Sequence, residues 1–394
     1  MYFKEQSVIM KLKIKVNING IASVCWAASI FSYMFQCYWR GLAKLIVPLL
    51  IVFFMLEITR IKFPFQKEWI KLFMVYIIYL SISFAISCFN GTSINEALRF
   101  YLILCAIPLA LCIKEPRFEI EWRILKVISV IKSMTILLTW LDVFITQDYM
   151  EYRSWALESG VGDIYILHGI PFIQLLGTSI FVMLFICDFL KNGRFTMYGL
   201  LMIITAVAAG NSAYILGIFV CITLYYSRKF KDWILDKNWR AFIAIPIALI
   251  VIFQFGRYAV DSLNSKKEYS NAVRLEQVHV LMDTNFIIGN GLGDSVNKTG
   301  NFRNYNGDTY FELQTLYIYY QIGIIGLFFF YILTLIPYTG KNNRWKLIAY
   351  ISYLIYTFFN PYCFDSTHIF SVLLISNCIP EQHYIESKEE ARNK

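Results

Sequence analysis

Long apolar stretches follow one another along this chain, separated by short clusters of basic residues. Twelve of them approach the roughly 20 residues that a helix needs to cross a bilayer. They run over 18–37, 42–58, 70–89, 97–113, 124–146, 166–190, 195–209, 211–227, 240–256, 313–337, 344–360 and 365–380. The pair 195–209 and 211–227 is short, with Gly210-Asn211 as a turn or a break within a longer helix. The last stretch is short as well. Of the 394 residues, 58% are hydrophobic and only 16% charged, against about 25% charged in a soluble globular domain. That much apolar surface exceeds what a water-soluble core of this size buries. The pattern predicts an all-α fold: one polytopic membrane bundle of about twelve transmembrane helices over 1–394. Lys11, Lys13 and Lys15 precede the first stretch without a small-residue cleavage site, so it reads as a first span and not as a cleaved leader.

Net charge is +9, from 36 Lys+Arg against 27 Asp+Glu. Most of the basic residues fall in alternate connections, as in Arg60, Lys62, Lys67 and Lys71, or Lys114, Arg117, Arg123 and Lys126. Under the positive-inside rule this places both termini in the cytoplasm and makes the excess a topology signal, with no nucleic-acid partner. Two connections on the opposite side are longer than linkage requires, 147–165 and 257–312. The second precedes the tenth span and contains an apolar helical stretch at 274–288. Connections of such length are usually functional or unstructured. Residues 381–394 read as a cytoplasmic tail. The nine cysteines contain no CxxC pair, and four histidines without an HExxH motif support no metal site, so no cofactor is expected.

The candidates for chemistry lie in the two long connections. Arg153 and Arg274 each carry a planar guanidinium, whose geometry matches phosphate oxygens in pairs. Arg303 is a further candidate for binding, although contact with lipid head groups is its simpler reading. Gly289, Gly291 and Gly293 alternate in GNGLGD. The run lacks the spacing of a dinucleotide fingerprint and the Lys of a phosphate loop. It reads as a helix end with a turn, or as a loop shaped around a pyrophosphate or sugar. Asp308 and Glu312 stand four residues apart, on one face if the following helix starts early; either is a candidate base, with helix-start preference as the plainer reading. His168 opens a predicted helix at its outer end. His279 reads as structural. Lys132 and Asp142 are unusual inside spans, and Lys132 is expected to face the bundle interior.

These residues resemble the superfamily of bacterial O-antigen polymerases and O-antigen ligases. The resemblance rests on Arg274 followed by LEQVHVLMDTNFIIGNGLGD, then YFELQTLYIYYQIGIIGL, and on AAGNSAYILGIFVCITLYY at 208–226. Ser212 lacks the arginine that this family's short helix start carries. A ligase typically has a histidine before the late helix, where this chain has Asp308 and Glu312. That difference favours a polymerase and leaves the base open.

The resemblance implies a metal-independent membrane glycosyltransferase in the bacterial inner membrane. It would polymerise polyprenyl-pyrophosphate-linked repeat units into O-antigen or capsular polysaccharide on the extracytoplasmic side. The alternatives are an O-antigen ligase and a transporter or flippase of lipid-linked oligosaccharide. The lipid-linked glycan would be both donor and acceptor, and a flippase and a chain-length regulator would be partners. In this scheme Arg153 and Arg274 neutralise the leaving pyrophosphate, and Glu312, Asp308 or His168 orients or deprotonates the acceptor hydroxyl. Tyr152, Trp155, Tyr305 and Tyr310 stack on sugars or mark the interface.

Overall fold

The computed structural model describes residues 18–57, 67–113, 118–167, 169–235, 271–282, 285–309, 311–358 and 360–379. The fold is mostly helical. In chain order the helices are α1 (Ile18–Phe35), α2 (Ala43–Glu57), α3 (Lys67–Phe89), α4 (Ile94–Ala110), α5 (Phe118–Thr146) and α6 (Tyr149–Glu158). They continue as α7 (Ile180–Asn192), α8 (Met197–Ala208), α9 (Ser212–Leu235), α10 (271–282), α11 (Gln314–Leu335), α12 (Arg344–Phe358) and α13 (Ser366–Cys378). An antiparallel hairpin, β1 (Gly162–Leu167) and β2 (Ile170–Leu175), separates α6 from α7, with Ile164 opposite Ile173.

Two short helices form the centre. Every residue of α7 from Ile180 to Leu190 is buried, and α13 is buried along nearly its whole length. A helix that is apolar on all sides must be enclosed on all sides. α8, α9, α12 and α13 pack around α7, while α13 also lies against α4 and α5. Local chemistry fixes where these helices start and stop. Gly193 ends α7 at φ 67°, its N–H returning 2.8 Å to the Phe189 carbonyl, the left-handed exit that glycine favours. Thr196 caps α8 through the Gly199 N–H, and Asp365 caps α13 through the Thr367 N–H. Asp188, wholly buried near the end of α7, is met by Lys126 Nζ at 2.9 Å and by the Thr196 hydroxyl. Lys126 in turn lies over the Tyr198 ring at 4.6 Å.

This architecture overturns the expected bundle of about twelve transmembrane helices. Among the described residues, three helices are long and apolar enough to cross a membrane: Lys67–Phe89, Glu119–Thr146 and Gln314–Tyr338. Four more are apolar but shorter, Gly20–Phe35, Met197–Ala208, Ser212–Arg228 and Ser366–Cys378. The stretch 166–190 is not one helix, because its first part forms the hairpin and only 13 residues remain for α7. At 1.5 Å per residue such a helix covers about 20 Å, against a hydrocarbon core of about 30 Å. The apolarity of α7 and α13 serves an interior lined by protein. The stretch 240–256, the first part of the long connection at 257–270 and the tail 381–394 lie outside the described residues. The multi-pass inner-membrane topology with both termini cytoplasmic rested on the twelve-span count and falls with it. So do repeat-unit polymerisation into O-antigen or capsule on the extracytoplasmic side and its ligase and transporter alternatives.

Candidate functional site

One end of the helix assembly is rich in polar groups, and hydrogen bonds show which helix ends meet there. The Tyr33 hydroxyl, near the end of α1, lies 2.7 Å from both Ser179 Oγ and Thr367 Oγ1, at the starts of α7 and α13. Asn211 Nδ2 donates to Asn360 Oδ1 at 2.8 Å, joining the start of α9 to the end of α12. Gln314, first residue of α11, accepts from Phe364 N at 2.8 Å. Tyr165 of β1 donates to the Gly210 carbonyl at 2.7 Å. Most of the residues singled out from the sequence lie in the connections of this end.

The richest cluster is built by α10, the turn after it and the connection into α11. Arg274 Nε lies 3.0 Å from Glu312 Oε2, with side-chain exposures of 30% and 36%. Arg303 Nη2 lies 2.6 Å from Asp308 Oδ2, and its guanidinium sits 5.8 Å from the Tyr305 ring centre. Asp308 and Glu312 both precede α11, which begins at Gln314, so they do not share a helix face; each takes a different arginine. Glu276, two residues along α10 from Arg274, accepts the backbone N–H groups of Asn301, Phe302 and Arg303. Desolvation would raise its carboxyl, but the N–H groups of Phe302 and Asn301, the Tyr305 hydroxyl and the Arg303 N–H outweigh it and hold the group below its ordinary value. Tyr305 is pushed up to about 12, first by burial and then by the neighbouring Glu276. Gln277, fully buried, accepts from Leu313 N at 3.3 Å and so ties α10 to the start of α11.

An aromatic column runs away from this cluster. Tyr305 stacks on Phe311 at 5.6 Å, Phe311 on Tyr317 at 4.8 Å, and Tyr317 on Tyr320 at 6.2 Å. It ends at Asp294, whose carboxylate accepts from the Tyr320 hydroxyl at 3.1 Å and from Thr92 Oγ1 at 3.3 Å. Burial raises the Asp294 carboxyl above its ordinary value. Sequence reasoning named Tyr305 but missed Asp294, Glu276, Gln277 and the rest of this column, Phe311, Tyr317 and Tyr320. The one signal available was the acid that closes GNGLGD.

The three glycines of that run face protein. Cβ atoms on Gly289, Gly291 and Gly293 would lie 2.4 Å from the Gln321 carbonyl oxygen, 2.7 Å from Ser87 Oγ and 2.6 Å from Ala97 N. Their N–H groups are taken by the carbonyls of Asn285 and Gln321 and by the Gln321 side chain. Here the run brings α3, α4 and α11 together. Its counterpart is Gly323, where α11 breaks at φ 62° and ψ −175°. The Ile324 N–H then turns to the Phe286 carbonyl at 3.0 Å, and Asn290 N reaches the Tyr320 carbonyl at 2.9 Å.

Arg153 belongs to a separate cluster. Its Nε lies 3.1 Å from Asp163 Oδ1 on β1, and no hydrogen bond or ion pair among the described residues joins it to Arg274. Tyr152 donates to Asp142, which is exposed on α5, and that bond raises the phenol above its ordinary value. Trp155 is exposed. His168 and Tyr310 lie outside the described residues. His279 is exposed on α10, whereas the sequence reading made it structural. Among the described residues His368 is the buried histidine, its Nε2 3.0 Å from the Tyr350 hydroxyl and its Nδ1 at the Cys363 carbonyl. Lys132 is buried on α5. Among the described residues, no group of three or more His, Cys, Asp or Glu side chains is arranged to hold a metal ion. Comparison with protein-family models, with curated proteins and with solved structures found no match to this chain.

Proposed function

We propose that this chain is a glycosyl-transfer enzyme acting on a polyprenyl-pyrophosphate-linked glycan, with the polar cluster between α10 and α11 as its substrate site. The observation that carries the reading is the half-exposed pair of Arg274 and Glu312, 3.0 Å apart, with Arg303 and Asp308 in the same connection. Transfer from a sugar pyrophosphate needs two things at one place. Cationic donors must meet the charge that develops on the departing pyrophosphate, and a carboxylate must orient or deprotonate the incoming hydroxyl. Arg274 and Arg303 supply the first, and Glu312 or Asp308 the second. The family resemblance of the Arg274 segment points the same way.

The experiment uses purified protein in detergent with a synthetic polyprenyl-pyrophosphate-linked disaccharide and a free acceptor sugar. Release of polyprenyl pyrophosphate is followed by chromatography. Arg274→Ala is expected to slow release by about 100-fold or more, the loss typical of a missing charge-stabilising donor. Glu312→Gln is expected to slow it by a similar factor with little change in affinity. Equal binding of the pyrophosphate lipid and the corresponding polyprenyl alcohol would refute the site.

A further inference from the structure

A second cluster lies away from the polar connections, inside the helical assembly. Lys132 of α5 is fully buried, and its Nζ lies 2.7 Å from Sγ of Cys37, which follows α1 and is 3% exposed. Among the described residues this sulfur is the hydrogen-bond partner of the amine, and the remaining walls are the Tyr38 ring at 4.3 Å and the Phe35 ring at 5.7 Å. A buried lysine ordinarily meets a carboxylate, because an isolated charge in an apolar site is costly. Here it meets a free thiol. The Tyr38 hydroxyl donates to Thr135 Oγ1 at 3.0 Å, and Thr135 bonds back to the Lys132 carbonyl at 2.8 Å, which fixes the wall around the pair. The Cys37 thiol is also held near the Met34 carbonyl at 3.9 Å.

We propose that Cys37 and Lys132 form a covalent modification site, a nitrogen–oxygen–sulfur bridge made by peroxide and opened by thiols. The two heavy atoms are close enough for one oxygen atom to join them without moving either helix. One peroxide oxidises the thiol to a sulfenic acid and releases water, a second oxidises the adjacent amine to a hydroxylamine and releases water, and condensation of the two hydroxyl groups expels a third water and leaves one oxygen between sulfur and nitrogen. The balance is one thiol, one amine and two molecules of hydrogen peroxide giving one bridge and three molecules of water. The S–H bond and one N–H bond break, S–O and O–N bonds form, and four electrons pass to the peroxide. Four equivalents of a small thiol reverse the step, returning thiol and amine with two disulfides and one water. The bridge would fasten the end of α1 to the middle of α5, positions 95 residues apart, and so constrain the unfolded chain as a disulfide does.

The test is mass spectrometry of the full-length protein after exposure to dilute hydrogen peroxide with the other accessible thiols alkylated beforehand. The expected result is a gain of about 14 Da, one oxygen gained and two hydrogens lost. It should map to a cross-link between the peptides carrying Cys37 and Lys132 and disappear with dithiothreitol. Lys132→Arg, which keeps the cation, and Cys37→Ser should each abolish the cross-link. Oxidation of Cys37 to sulfenic, sulfinic or sulfonic acid in the wild type without linkage to Lys132 overturns the proposal, and so does an unmodified Cys37. Because the decisive measurement is on the wild-type protein, a variant that fails to fold does not blunt it.

Discussion

Gly323 is the position where one added methyl group tests the arrangement beneath the candidate site. Its backbone, at φ 62° and ψ −175°, lies in a region essentially reserved for glycine. A Cβ there would sit 2.2 Å from the Ile287 carbonyl oxygen, against backbone that cannot swing aside. Gly323→Ala therefore carries two costs, about 1–3 kcal/mol of backbone strain and about 1–3 kcal/mol for the overlap. Together these come to about 2–6 kcal/mol, and either the whole fold or the 285–309 connection must absorb them. Gly307→Ala is the control, since Gly307 has a similar φ of 73° but nothing within 4 Å of its Cβ position. It should cost only the conformational penalty of about 1–2 kcal/mol. Denaturant midpoints and limited proteolysis of the connection read the two routes separately. If Gly323→Ala has the midpoint and the protease resistance of Gly307→Ala, the reasoning that α11 breaks to seat the glycine run is wrong.

Other outcomes follow from the same cluster. A double-mutant cycle on Arg274 and Glu312, read by stability, should give a coupling of no more than about 1 kcal/mol, because the pair is partly exposed; a larger value would make the pair a structural clasp. Glu276, held below its ordinary carboxyl value, contributes stability that is complete above its unfolded value near 4.5 and is lost as pH falls through the folded one. Protection of the amides of Asn301, Phe302 and Arg303 from hydrogen exchange, taken relative to the intrinsic rate at each pH, should therefore fall on acidification, and Glu276→Gln should remove that pH dependence. Asp365, pushed up to about 6 chiefly by burial, has the opposite sign. Its contribution is complete below about 3.8 and lost as pH rises through 6, so Asp365→Asn, which keeps the cap on Thr367, should be at least as stable as wild type at pH 7. A clear drop in its melting temperature at pH 7 would count against that.

Sequence patterns carried part of this. The stretches 70–89 and 313–337 fall on α3 and α11, because a helix that is both long and apolar announces itself at any register. The same pattern misled at α7 and α13. Hydropathy records that a segment is buried and is silent on whether lipid or protein does the burying. IYIL and IPFIQL also read as continuous apolar chain, yet they pair as strands over 164–175, across the start of the stretch 166–190. In the candidate site, Arg274 and the carboxylates were conspicuous, but their pairing was not. Thirty-eight residues separate Arg274 from Glu312, and no local spacing connects them. The glycine run was legible as a turn. That its glycines seat against Gln321, Ser87 and Ala97 depends on α3, α4 and α11 arriving from elsewhere in the chain.

The burial of α7 also orders events during synthesis. The Tyr33 hydroxyl reaches both Ser179 and Thr367, and Tyr33 and Thr367 are 334 positions apart. The centre of the molecule therefore cannot close until residues far downstream have left the ribosome. At roughly 5–20 residues per second, α7 waits on the order of ten seconds or more for α13. During that interval a helix with no polar side has to be sheltered, by lipid, by a chaperone or by provisional packing against the helices already made.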